Sequence, residues 1–105
     1  GRPISDDELR IVLDIVGLHD VPLDSPVSRT SGLSAGQRRR IALARTLAGH
    51  RPVLLLDEPT ASLDSQTETL VAHHLRMLAD QGALIIVVSH RPALTAVCDA
   101  QVSVR

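Results

Sequence analysis

Apolar positions recur every three or four residues over residues 5–16, where Leu9, Val12, Leu13 and Val16 form one stripe, so this stretch predicts an amphipathic helix. Ser5 and Glu8 have the spacing of a capping box, and Gly17 supplies a stop. Residues 19–32 lose the pattern; they are rich in Pro, Ser and Asp, and Pro22 and Pro26 block regular structure, which predicts a long loop. A second helix is expected after Ser34, with Gln37 completing another capping box. Ile41, Ala44, Leu47 and Ala48 are its inward positions and Gly49 its stop.

Residues 53–56 are an uninterrupted apolar run, the pattern of a strand buried on both faces. A third helix is expected near Ser65, capped with Glu68 and burying Val71, Leu75 and Leu78 before Gly82. Residues 83–88 read as a second buried strand. Strand, helix, strand in this order implies a crossover and a parallel pair, so the fold class is α/β. Pro92 can open one more short helix, and residues 102–104 read as a final strand. The chain has no internal repeat or low-complexity tract.

Composition narrows this picture. The 105 residues, 44% hydrophobic and 22% charged, suit one ordered domain. With no Phe, Trp or Tyr, the core has to be built from Leu, Val, Ile and Ala, and such a small core is marginal by itself. A net charge of −1 excludes a global field toward nucleic acid or an anionic membrane. Cys98 is the only cysteine, which excludes an internal disulfide; it reads as a small apolar packing residue. The apolar runs fall far short of the roughly 20 residues that cross a bilayer. Residues 1–10 are acidic and polar, unlike a signal sequence. The start without Met, almost directly on a helix, carries the expectation of a piece cut from a longer chain.

Candidate chemistry lies where the strands end, because ligands in open α/β sheets gather beyond the carboxyl ends of the strands. Asp57, Glu58 and His90 occupy those places. Two adjacent carboxylates after four apolar residues are costly to desolvate unless something positive binds them, and a metal with bound phosphates supplies that charge. Pro59 is expected to hold Glu58 extended, its side chain projecting past the sheet edge. Alone, such a pair merely begins a loop, and a histidine after a strand is a structural residue.

The start of the second helix is a further candidate. Ser34 offers a hydroxyl, Gly36 permits close approach, and the first turn presents free N–H groups at the positive end of the dipole, a site suited to phosphate. Alone, it is an ordinary helix cap. His19, His50, His73 and His74 lack metal-ligand spacing and read as surface or packing residues. Arg38, Arg39, Arg40 and Arg45 give the second helix a basic face, by default a solvated one, alternatively a nucleic-acid footprint.

Together these segments resemble a known family. Val53-Leu54-Leu55-Leu56-Asp57-Glu58 is similar to the Walker B motif of ABC ATPases, and Thr60-Ala61-Ser62-Leu63-Asp64 to their D-loop. Leu33-Ser34-Ala35-Gly36-Gln37 resembles the ABC signature, normally Leu-Ser-Gly-Gly-Gln, and Ser89-His90-Arg91 the H-loop. The four motifs stand in the family's order within a match over about residues 25–104.

The resemblance implies part of a P-loop NTPase fold, with residues 1–50 in the helical signature subdomain and residues 51–105 in the carboxy-terminal portion of the RecA-like core. It implies ATP hydrolysis with Mg²⁺ in a head-to-tail dimer of ATP-binding subunits. Asp57 would hold Mg²⁺ through water, Glu58 would act as general base, and His90 would contact the γ-phosphate and the attacking water. Ser34, Gly36 and Gln37 would close on the partner's ATP, while Asp64 would bridge the two sites. The implied partner is a transmembrane domain, whose coupling helices lie near the signature subdomain and its arginines; the implied place is the cytoplasmic face of a bacterial plasma membrane.

Departures from the family pattern are also visible. Ala35 stands where glycine is commoner, and its methyl is expected to fit the first helical turn. No Gly-x-x-x-x-Gly-Lys-Ser/Thr, no aromatic residue to stack on adenine and no Q-loop region occurs in the sequence. The family's Walker A strand lies beside the H-loop strand, so a gap in the core is expected there. A chain with these motifs alone is expected to be unstable and not to bind ATP.

Gln37, the stretch Ile41-Ala42-Leu43-Ala44-Arg45, Arg91 and residues 1–10 resemble exporters. His90-Arg91-Pro92-Ala93-Leu94 is similar to the thiol exporters of cytochrome bd assembly, whereas Ser25-Pro26-Val27-Ser28-Arg29 matches the exporter X-loop only in part. The alternative is an ABC ATPase acting on nucleic acid or ribosomes.

Overall fold

A computed structural model of the chain describes residues 5–19 and 34–102. Most of the long loop expected before the signature, with residues 25–29 and Leu33, lies outside the described residues, as do residues 103–105. The chain divides into two compact units, Gly1–Arg51 and Pro52–Arg105.

In the first unit, helix α1 spans Asp6–Ile15. Ser5 caps it by accepting the Glu8 N–H at 3.1 Å, and Asp6, Asp7 and Glu8 place negative charge on the positive end of the dipole. Gly17, at φ 85°, terminates it: Gly17 N–H donates to Asp14 O and Leu18 N–H to Leu13 O, the paired bonds of a Schellman motif. Helix α2 spans Ala35–Ala48 and packs on α1. The core of this unit is Val12, Leu13, Val16, Leu18, Leu43, Ala44, Leu47 and Ala48. Leu43 rather than Ile41 is buried with Ala44, Leu47 and Ala48; Ile41 is only half-buried. Gly49 follows α2 but stays right-handed at φ −75°; the left-handed residue is His50, at φ 48°, whose Nε2 bonds the Glu8 carboxylate.

In the second unit, β1 (Val53–Asp57) and β2 (Leu84–Val88) run parallel, with Val53 opposite Leu84 and Asp57 opposite Val88. Helix α3 (Ser65–Asp80) connects them, and the short helix α4 (Pro92–Thr95) follows with Pro92 in its first turn. Gly82, at φ 109°, closes α3 in a second Schellman motif, Ala83 N–H reaching Leu78 O and Gly82 N–H reaching Ala79 O. Val102 is not in a strand.

Three expectations are corrected here. The strands are not buried on both faces: Leu54 and Leu56 are 3% and 7% exposed, whereas Leu55 is 71% exposed and Leu84, Ile86 and Val88 also stand open. The buried side chains Val71, Ala72, Leu75, Leu63 and Leu94 form the core on the covered face, so the continuous apolar run reads here as alternation. Second, α3 is capped by Asp64 rather than Ser65: the Asp64 carboxylate accepts the Thr67 N–H at 3.3 Å, which frees Glu68 for another use. Third, Cys98 is exposed, its thiol donating to Leu94 O at 3.1 Å, because it follows the end of α4 instead of lying beneath it.

An open cleft of 1030 Å³ touches residues on both faces of β2 and none of β1, so it runs along the outer edge of β2; residues 97–102 form its other wall. Among the described residues β1 is the only strand paired with β2. No helix of the described residues is long and apolar enough to cross a membrane.

Candidate functional site

The carboxyl ends of β1 and β2 bring Glu58 and His90 together. Glu58 follows the last residue of β1, and its N–H continues the ladder by donating to Val88 O at 2.8 Å. Its backbone is left-handed at φ 46°, not extended as Pro59 led one to expect, a conformation that costs a non-glycine residue about 1–2 kcal/mol. The residues after it explain why the conformation persists. Ala61 N–H returns to Glu58 O at 3.4 Å, Leu63 N–H to Thr60 O at 3.1 Å, and Thr60 is wholly buried. The kink turns the Glu58 carboxylate toward the second loop, where Oε1 lies 3.3 Å from His90 Nδ1.

His90 projects freely, its side chain 87% exposed, while the segment bearing it is fixed by the Arg91 N–H to Ser89 Oγ bond at 3.1 Å. Asp57 is exposed at the end of β1. Among the described residues no group of three His, Cys, Asp or Glu side chains is placed to hold a metal.

Beneath these loops lies a polar contact that local spacing did not predict. Glu68, expected as a helix cap, has a side chain 8% exposed, and its Oε2 accepts both the Thr60 hydroxyl and Arg91 Nε at 2.7 Å. Burial works against the charged carboxylate, but the bonds from Thr60 and Arg91, with the Arg91 charge, outweigh it and hold the carboxyl below the usual range. A cluster joining residues 60, 68 and 91 has no local spacing to announce it; the only signal was a glutamate and an arginine beside two candidate loops.

In the first unit, Ser34 and Gln37 form the full capping box: Ser34 Oγ accepts Gln37 N–H at 3.1 Å and Gln37 Oε1 accepts Ser34 N–H at 2.9 Å. Ser34 thus spends an acceptor and keeps its hydroxyl proton to donate. Ala35, first residue of α2, is exposed. A Cβ added at Gly36 would meet nothing nearer than Ser34 Oγ at 3.9 Å, so the chain's own packing does not require glycine there. Arg38, Arg39 and Arg45 are exposed, and Arg40 is half-buried with its Nε unpaired among the described residues.

Asp64 is exposed, and hydrogen bonds from Thr67 hold its carboxyl below the ordinary range. Of the other histidines, His19 and His50 pair with Asp14 and Glu8, His73 is exposed, and burial pushes the half-buried His74 down.

The family described as ABC transporter matches residues 4–61. The chain is 38% identical over 93 residues to the cytochrome c biogenesis ATP-binding export protein CcmA of Bartonella henselae, covering 88% of this chain and 41% of that protein. It is 52% identical over 66 residues to the hemin import ATP-binding protein HmuV of Streptomyces coelicolor, covering 63% of this chain and 24% of that protein. Among solved structures, that of a bacterial Atm1-family ABC exporter with ATP bound matches with a TM-score of 0.66 and 32% identity, over 92% of this chain and 18% of the other. The chain therefore spans well under half the length of the relatives it matches. With a signature-like helix start, a Walker B-like strand and an H-loop-like histidine carried on an α/β framework, the chain belongs to the ABC transporter family and carries sequence of its ATP-binding domain.

Proposed function

We propose that this chain supplies the signature helix and the water-activating residues of an ATP hydrolase that drives export across a membrane. The observation that carries the reading is the approach of Glu58 Oε1 and His90 Nδ1, 3.3 Å apart at adjacent strand ends. In this reading Gly1–Arg51 belongs to the helical signature subdomain and Pro52–Arg105 to the carboxy-terminal portion of the RecA-like core.

Glu58 accepts a proton from the attacking water, and His90 donates a hydrogen bond toward the terminal phosphate and orients that water. Asp57 would hold Mg²⁺ through water; the ion, when bound, withdraws charge from the phosphates. Ser34, through its hydroxyl, and Gln37, through its amide N–H groups, approach the terminal phosphate of an ATP bound by a second subunit, while Gly36 allows the backbone close to it. Asp64 orders the α3 start and stands toward the paired site. The partners are a transmembrane domain and a second ATP-binding subunit in head-to-tail order, at the cytoplasmic face of the membrane.

Export rather than import rests on the exporter-like Arg91 and on the resemblance to the CcmA protein and the Atm1-family exporter. The test is Glu58→Gln in the natural full-length protein. ATP binding persists and turnover falls by about 10²–10⁴-fold, the range for loss of a positioned base. Undiminished hydrolysis would remove Glu58 from that role.

A further inference from the structure

Glu58 and His90 sit on separate loops, and the local bonds that hold each loop do not set the distance between the two. Glu58 keeps a strained backbone at φ 46°, and the His90 side chain is too exposed to be held by packing. What lies behind both is Glu68 on α3. Its Oε2 accepts the hydroxyl of Thr60, two residues beyond Glu58, and the Nε of Arg91, the residue after His90. Both bonds are 2.7 Å long and converge on one oxygen of a buried carboxylate.

We propose that Glu68 is a positioning residue for ATP hydrolysis: by anchoring Thr60 and Arg91 on a single carboxylate oxygen, it sets the distance between Glu58 and His90. The inference rests on the reading of that pair as the water-activating site. The physical argument is geometric. Each loop is pinned next to its functional residue, and both pins share one rigid origin on a helix sixteen residues long. Charge-assisted bonds to a buried carboxylate are short and directional, so the loops move together or not at all. Among the described residues of this unit, the other long-range arginine contacts are those of half-buried Arg76 to Val97 O and to the exposed Asp99, and they tie α3 to the segment after α4, away from Glu58.

The test uses the natural full-length protein, with MgATP turnover measured against ATP concentration and thermal melting recorded for every variant. Glu68→Gln removes the charge at constant shape, Thr60→Val removes the hydroxyl at constant shape, and Thr60→Ser restores it. Glu68→Gln and Thr60→Val are expected to lower kcat by about 10-fold or more with KM for ATP within about two-fold, since small misplacements of catalytic groups cost that much. Thr60→Ser retains most of the rate. The pair Glu68→Gln with Arg91→Gln loses no more than the worse single change, as residues acting in one unit do.

A Glu68→Gln protein that melts lower yet keeps its kcat shows a merely structural residue and overturns the inference, as does a Thr60→Ser rate equal to that of Thr60→Val. Glu58→Gln separates the two levels. If it turns ATP over normally, the site reading and the inference built on it both fall; if it is inactive while Glu68→Gln is not, only the positioning role falls.

Discussion

The Glu58 carboxylate meets the His90 imidazole 3.3 Å away, across the ends of two parallel strands whose last paired residues are Asp57 and Val88. In the proposed reading Glu58 and His90 act on one water, so their losses should not multiply. His90→Ala is expected to lower turnover by about 10²-fold or more, and adding Glu58→Gln to it should cost little beyond Glu58→Gln alone. Steady-state hydrolysis by the three variants measures this, and fully multiplicative losses would show that the two residues serve different steps.

Gly36 stands in the first turn of α2 with no packing contact that requires glycine. A glycine inside a helix costs about 0.5–1 kcal/mol relative to alanine, and a methyl at this position meets nothing in the fold closer than 3.9 Å. Gly36 is the second residue of α2 rather than an interior one, so Gly36→Ala should stabilise the helix by no more than that amount, while lowering ATP turnover because, in the proposed reading, the methyl fills the space through which phosphate approaches. Calorimetry and hydrolysis on one preparation check both halves. A variant more stable and equally active would leave Gly36 without a ligand-facing role.

The sequence disclosed what is local and concealed what is not. Ser5, Ser34, Gly17 and Gly82 act within a few residues of themselves, so capping and Schellman spacing located both ends of α1, the start of α2 and the end of α3. Glu68 misled because its spacing from Ser65 mimics a capping box, while its partners Thr60 and Arg91 lie 8 and 23 residues away. Glu58 misled for a related reason: the rule for residues before proline favours extended backbone, but the Val88 carbonyl and the buried Thr60 impose a left-handed turn. Leu55 and Ile86 read as core because their runs are apolar throughout, though which strand face α3 covers depends on tertiary packing alone.

Beside the exposed Asp64, whose carboxyl is also held low, two groups with buried surface give stability a defined pH dependence. Burial lowers the His74 pKa in the folded chain, so above its ordinary value of about 6.5 both states are neutral and its contribution is intact. As pH falls below that, the unfolded chain takes the proton first and stability drops. Glu68, also held low in the fold, contributes fully above its ordinary value of about 4.3 and loses that contribution as pH falls through its folded value. Melting temperatures should thus fall in two stages on acidification. His74→Gln should flatten the stage just below neutrality, and Glu68→Gln the one below about pH 4.3. Parallel acid profiles for wild type and Glu68→Gln are the result that counts against a charged Glu68 in the fold.

Ser34 allows capping and phosphate contact to be separated. Its oxygen accepts the Gln37 N–H, which any good cap can do, while only its hydroxyl proton is left to donate outward. Ser34→Asp keeps the acceptor and adds favourable charge at the helix start, so α2 should be as stable as in the wild type, but a carboxylate repels phosphate. Ser34→Ala removes both functions and should cost about 1 kcal/mol of stability as well. The expected pattern is therefore two inactive variants of which only Ser34→Ala melts lower. Were Ser34→Asp to keep full hydrolysis, the hydroxyl would be only a cap and the phosphate contact would have to come from Gly36, Gln37 and the free N–H groups of the first turn.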